Sequence, residues 1–188
     1  MRFTLRSLGE LWCQAILIPV FSDSSEDNRG ISGLDTKTGG YLSLLRKKGF
    51  WAGQRGEVLL IASEGMIKAE KILLIGLGVR GAFSPEVLSE GMKKAGDAFV
   101  KMGISDMGVT LPAFGEMPDK QAFLVHGALT KLVEAYLLRS PGDPQPLLKV
   151  VVSLDRKSMD AMESLSGMTK SYRDMGLQYT VIFEKELK

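Results

Sequence analysis

The chain has 188 residues, 45% of them hydrophobic and 24% charged, which suits one large domain with a single core and no staples. Its 24 basic and 22 acidic residues leave a net charge of +2, which argues against a dense nucleic-acid-binding surface. The lone Cys13 excludes an internal disulfide and a cysteine-rich metal site, and no apolar run approaches the roughly 20 residues of a membrane span. A soluble cytoplasmic protein is expected.

Arg2 to Arg6 alternates polar and apolar residues, the pattern of a half-exposed strand toward a sheet edge. The next apolar run, Leu11 to Phe21, follows two arginines as a signal-peptide core would. Glu10 and Gln14 interrupt it, however, and the segment after it offers no small-residue cleavage site. Ala15 to Phe21 therefore reads as a central strand. Ser22 to Gly33 is polar and predicts a surface loop. Asp35 to Gly40 then leads into a short helix, Tyr41 to Lys48, with Leu42 and Leu45 facing inward, and Gly56 to Ser63 is the third strand.

Lys71 to Gly103 is a β-turn-α unit. Ile72 to Ile75 is a continuous aliphatic run, as in a strand covered on both faces, and Gly76, Gly78 and Gly81 break the chain after it. Ser84 is placed to cap a helix with Pro85 at its first position, and Val87, Leu88, Gly91, Ala95, Ala98, Phe99 and Met102 follow at spacings of three and four. That helix should stop near Gly103. Asp106 to Leu111 is a fifth strand, and Asp119 to Arg139 is the longest helix, with Ala122, Phe123, His126, Leu129, Val133, Tyr136 and Leu137 as its apolar stripe. Leu147 to Leu154 is another covered strand, Arg156 to Met175 an amphipathic helix, and Gln178 to Phe183 a last strand.

Alternating strands and helices imply an α/β fold, a three-layer α/β/α sandwich with a mixed, mostly parallel sheet. The strands at the start are expected to supply its antiparallel members. Residues 1–188 read as a single domain without repeats or a linker.

Several residues invite a functional reading. Gly76-x-Gly78-x-x-Gly81 has the letters of a dinucleotide fingerprint, but the helix cap falls three residues beyond the last glycine and no acidic residue ends the next strand. His126 sits on an apolar stripe without triad or ligand partners, Cys13 has no basic cluster beside it, and Ser63 and Ser153 lie in no nucleophile elbow. The methionines of the last helix suit adaptable core. Two segments remain as candidate ligand sites. Lys37, Thr38, Gly39 and Gly40 precede a helix start, where free amides favour an anion. Gly76, Gly78, Arg80 and Gly81 follow a central strand at its carboxyl end. In both, a backbone needing positive φ also accounts for the glycines. No catalytic residue, metal ligand or cofactor is assigned.

The order of short motifs resembles one family. Asp35, the Gly39-Gly40 pair, Phe50 and Gly53, Gly56-Glu57, Leu73-Leu74-Ile75-Gly76-Leu77-Gly78, Leu111-Pro112, His126-Gly127 and Ala135-Tyr136 follow in the order of the N-terminal domain of the leucyl aminopeptidases, the cytosolic M17 metallopeptidases. The resemblance covers roughly residues 14 to 154 and implies a macro-domain-like fold. The family's two-metal catalytic domain, with its Asp-Thr-Asp-Ala-Glu-Gly-Arg-Leu motif, has no counterpart in this chain, so no catalytic residue carries over. The resemblance thus implies a non-catalytic, stand-alone relative acting in oligomer assembly or partner binding, as a homo-oligomer or with an aminopeptidase catalytic subunit. The alternative is a module for a nucleotide or ADP-ribose-like anion of macro-domain type. The chain lacks the Asn-Ala-Ala-Asn-like strand end and long glycine run of those binders. DNA binding is disfavoured by the charge.

Overall fold

The computed structural model describes residues 1–23, 29–112, 118–138, 147–165, 172–175 and 178–184. In chain order its strands are β1 (Arg2–Thr4), β2 (Ala15–Phe21), β3 (Val58–Ala62), β4 (Lys71–Gly78), β5 (Asp106–Val109), β6 (Lys149–Ser153) and β7 (Ile182–Glu184). The helices are α1 (Arg29–Lys37), α2 (Tyr41–Lys47), α3 (Pro85–Lys101), α4 (Pro118–Leu138) and α5 (Arg156–Ser164), with 3₁₀ turns at Leu8–Glu10 and Arg80–Ala82. The strands form one sheet in the order β3-β4-β2-β5-β6-β1-β7, with β3 antiparallel to β4 and every other neighbouring pair parallel.

The aliphatic runs become central strands because helices cover both faces. All of β2 is buried, and all of β4 but Lys71. Their side chains divide with a period of two. Leu17, Phe21, Leu73, Ile75 and Leu77 join Leu88, Phe99, Leu129 and Met159 in the core beneath α3, α4 and α5. Ile16, Ile18, Val20, Ile72 and Leu74 point the other way and pack with Leu34, Leu42 and Trp51, from α1, α2 and the chain after α2. Each such buried aliphatic or aromatic side chain contributes about 1.5–3 kcal/mol of transfer free energy. The result is a three-layer sandwich, as the sequence implied.

Helix α3 begins and ends as its sequence requires. Ser84 is its N-cap in extended conformation and Pro85 its first residue, although the Ser84 hydroxyl makes no capping bond. At the other end Gly103 takes φ +64°, its amide donates to Val100 O and the Ile104 amide to Phe99 O. These bonds form a Schellman motif, which satisfies the last carbonyls and seats the buried Ile104 near Phe99.

Four expectations are corrected in whole or in part. The antiparallel member is β3, not a strand at the start, since β1 and β2 have only parallel neighbours. β1 lies toward the sheet edge as expected but is more covered than a half-exposed strand, because β7 adds outside it, Phe3 and Thr4 are buried, and Phe183 stacks on Phe3 at 5.0 Å. Part of the expected loop at 22–33 is helix α1, whose inward contacts come from Ile31 and Leu34. The stripe of α4 is partly rotated: Ala122, Leu129, Val133 and Tyr136 are buried as expected, but Phe123 is 64% exposed, while Val125, Ala128 and Leu132 are buried too. The rotation follows from close packing on α3, where a Cβ on Gly96 would lie 2.7 Å from Leu132 O. The expected last helix is described as α5 to Ser164 and as helix again at residues 172–174, while the expected Met168 lies outside the described residues.

Candidate functional site

The two sequence-predicted segments lie on different parts of the fold, and each satisfies much of its own polarity. Asp35 accepts from the Ser43 amide at 3.0 Å and from the Ser43 hydroxyl, so a carboxylate of the chain already sits on the first turn of α2. Gly39 and Gly40 take φ +62° and +80°, which this αL turn into the helix requires. Thr38 is buried and its hydroxyl donates to Asp35 O at 3.2 Å. Thr38, Gly39 and Gly40 line a depression with Tyr41, Leu44, Ala62, Glu64 and Met66, beside the end of β3. Lys37 is directed elsewhere: its Nζ donates to Ser7 Oγ at 3.4 Å and Glu10 Oε1 at 3.5 Å.

In the second segment, Gly76 lies within β4 rather than in a turn, and Gly78, at φ +74°, is that strand's last residue. Both face residues 53–57, bonding through Gly56 N to Gly76 O, Gly76 N to Glu57 O and Gly78 N to Gly53 O. Arg80 donates its amide to both oxygens of Asp23, at 2.9 and 3.0 Å, and its guanidinium lies 4.5 Å from the Phe21 ring centre. Gly81 sits in the following 3₁₀ turn with open space around it.

A further concavity lies where only Lys37 was singled out from the sequence as a ligand candidate. A cavity of about 300 Å³ opens at the carboxyl ends of β1, β2, β5 and β6. The chain leaves β2 toward α1 on one face and leaves β5 toward α4 on the other, so the cavity sits at a topological switch point, where open α/β sheets bind ligands. Its walls are largely apolar, from Leu8, Ile18, Leu34, Leu111 and Leu154. Lys37, at the end of α1, and Asp155, the N-cap of α5, bring opposite charges to it from the two helical layers. Asp155 accepts from the Ser158 amide at 2.9 Å and hydroxyl at 3.2 Å, leaving capacity for further donors. Gln121, Thr110, Ser7 and Ser153 add polar groups. Glu10, exposed beside Lys37, has its carboxyl held below the usual range by a hydrogen bond from Ser7 and by the lysine charge. Apart from Lys37 these residues lack a motif, because six separate segments contribute them.

The titratable groups weighed in the sequence are structural. Cys13 is buried and its thiol is pushed up to about 11 by desolvation. His126 packs edge-to-face with Tyr172, ring centres 6.1 Å apart, and burial holds its imidazole below 6.5. No group of three or more His, Cys, Asp or Glu among the described residues could hold a metal ion, and none of their helices is long and apolar enough to cross a membrane.

The sequence model of the cytosol aminopeptidase family, N-terminal domain, matches residues 17–141, more than half of the chain. The chain belongs to this family. A probable cytosol aminopeptidase of Azotobacter vinelandii is 27% identical over 179 residues, covering 86% of this chain and 35% of the relative. The chain thus spans about a third or less of the length of the curated cytosol aminopeptidases it matches. A tomato leucine aminopeptidase mutant superposes with a TM-score of 0.64 at 14% identity, over 86% of this chain and 34% of that one. An Oceanobacillus iheyensis macrodomain with ADP superposes with a TM-score of 0.61 at 13% identity, over 89% and 90%. These likenesses establish the macrodomain-like fold of the aminopeptidase N-terminal domain. The family match takes in both glycine segments and the cavity wall from Ile18 to Gln121, but not the walls from Ser7 to Gly9 and from Ser153 to Ser158.

Proposed function

We propose that this chain is a non-catalytic assembly domain that self-associates through its open sheet edge, β3 of one copy pairing with β3 of a second. The observation that carries this reading is the chemistry of that edge. β3 ends the sheet, and its sequence Val-Leu-Leu-Ile-Ala contains no charge or proline. Val58 and Leu60 are each 44% exposed. Exposed edges are ordinarily blunted by lysine, proline, bulges or shortness, because unpaired strand groups template further pairing. This edge keeps five apolar residues in register on β4 and has no such guard.

The apolar surface continues around the end of the strand. Tyr41, Leu44 and Met66, all exposed, border the depression that contains Ala62 and the Thr38 to Gly40 turn. Two antiparallel copies of one edge strand are related by a two-fold axis, so the contact closes at a dimer instead of growing into a fibre. Membership of the cytosol aminopeptidase N-terminal family is consistent with an assembly role.

Light scattering of the chain and of Leu60→Lys tests this reading. The wild type should show twice its 20.5 kDa mass and the variant the monomer mass, with unchanged circular dichroism. A monomeric wild type would overturn the reading, as would a Leu60→Lys variant that remains a dimer. A wild type that gains mass only with an aminopeptidase catalytic subunit would assign the edge to that partner instead.

A further inference from the structure

We infer that the cavity at the carboxyl ends of the strands binds a small zwitterion with an apolar side chain, of the size of an amino acid or dipeptide. Lys37 meets the ligand's carboxylate and Asp155 its ammonium. The inference starts from the charge balance of the walls. One cation and one anion line a cavity of about 300 Å³ that is otherwise mostly apolar, and they come from opposite helical layers. Ligand sites have this composition, an apolar body with a few polar groups that fix orientation.

The same balance argues against a polyanion. A nucleoside diphosphate would bring two or more negative charges to one lysine, while Asp155 in the wall and Glu10 at 3.5 Å from the lysine repel it. A zwitterion brings only one negative charge to the lysine, and its ammonium is attracted to Asp155 instead of repelled. Both charged groups have capacity to spare. The Lys37 to Glu10 pair is exposed and therefore weak, so the ammonium can turn to a ligand carboxylate at little cost. Asp155 uses its two oxygens for one bond each from Ser158, which orients the carboxylate and leaves acceptor sites open. Leu34, Leu111 and Leu154 offer the ligand's side chain an apolar surface.

Calorimetry on the full chain decides this with four probes: L-leucine, leucylglycine, N-acetyl-leucinamide and ADP-ribose. Leucine or leucylglycine should bind, while the uncharged N-acetyl-leucinamide and the doubly anionic ADP-ribose should not. Lys37→Met and Asp155→Asn should each weaken the zwitterion about tenfold or more, the loss expected for one charge-assisted hydrogen bond. Asparagine caps a helix about as well as aspartate, so Asp155→Asn should keep the wild-type melting temperature and report the charge alone. Failure of both zwitterions to bind would overturn the inference. So would equal binding of N-acetyl-leucinamide, tighter binding of ADP-ribose, or wild-type affinity in both variants.

Discussion

A Cβ placed on Gly76 would lie 2.0 Å from the carbonyl oxygen of Gln54. That contact explains a glycine in the middle of an otherwise aliphatic buried strand. Residues 53–57 run against the end of β4 through three backbone bonds, and Glu57 accepts from the amides of Ala52 and Gln54 to hold the segment in shape. The backbone approach leaves no room for a side chain, and neither neighbour is a flexible group that could give way. Gly76→Ala should therefore lose about 3 kcal/mol of stability by overpacking. Gly81→Ala, with nothing within 4 Å of the added Cβ, should lie within about 0.5 kcal/mol of wild type. Urea unfolding of both variants checks this, and equal midpoints would show that the close approach is dispensable.

His126 gives the fold a mild acid sensitivity. Burial holds its imidazole below 6.5 in the folded chain, so the unfolded chain takes up the proton first as pH falls. Stability should be flat in this residue above about 6.5 and decline as pH drops below it, levelling once the folded imidazole is protonated. His126→Gln should remove that part of the slope. A thermal-melt profile that keeps the same slope below 6.5 in the variant would place the sensitivity elsewhere.

Cys13 should be silent in the native protein. Its thiol is buried and pushed up to about 11, which leaves almost no thiolate at neutral pH. A neutral-pH thiol reagent should label the chain only as fast as it unfolds, with rates rising in urea in step with the loss of helical signal. Rapid labelling without denaturant would contradict the packing around β2.

Local pattern fixed some parts of this molecule and could not reach others. Ala15–Phe21 and the Ser84-Pro85 helix start emerge where the sequence placed them, because a doubly covered strand and a proline-led helix are decided within one stretch of chain. Helix α1 was hidden because Arg-Gly-Ile-Ser-Gly-Leu-Asp-Thr-Lys holds two glycines and only two large apolar residues, and its helical state depends on packing of Ile31 and Leu34. Gly76 and Gly78 read as a turn because the segment that demands them lies some twenty residues earlier. The family order of motifs was legible, whereas Lys37 read as part of the Thr38 to Gly40 turn and lines the cavity instead. The remainder of the cavity was not legible, since Ser7, Thr110, Gln121, Ser153 and Asp155 meet only when parallel strands align their carboxyl ends.

Amide hydrogen exchange across β3 tests the assembly reading most directly, because the outward amides of Val58–Ala62 are the groups that a second copy would cover. Protection of this strand should rise with protein concentration in the wild type, stay constant in Leu60→Lys, and leave the other edge strand, Ile182–Glu184, unchanged in both. Protection of β3 that is independent of concentration in the wild type would contradict the account.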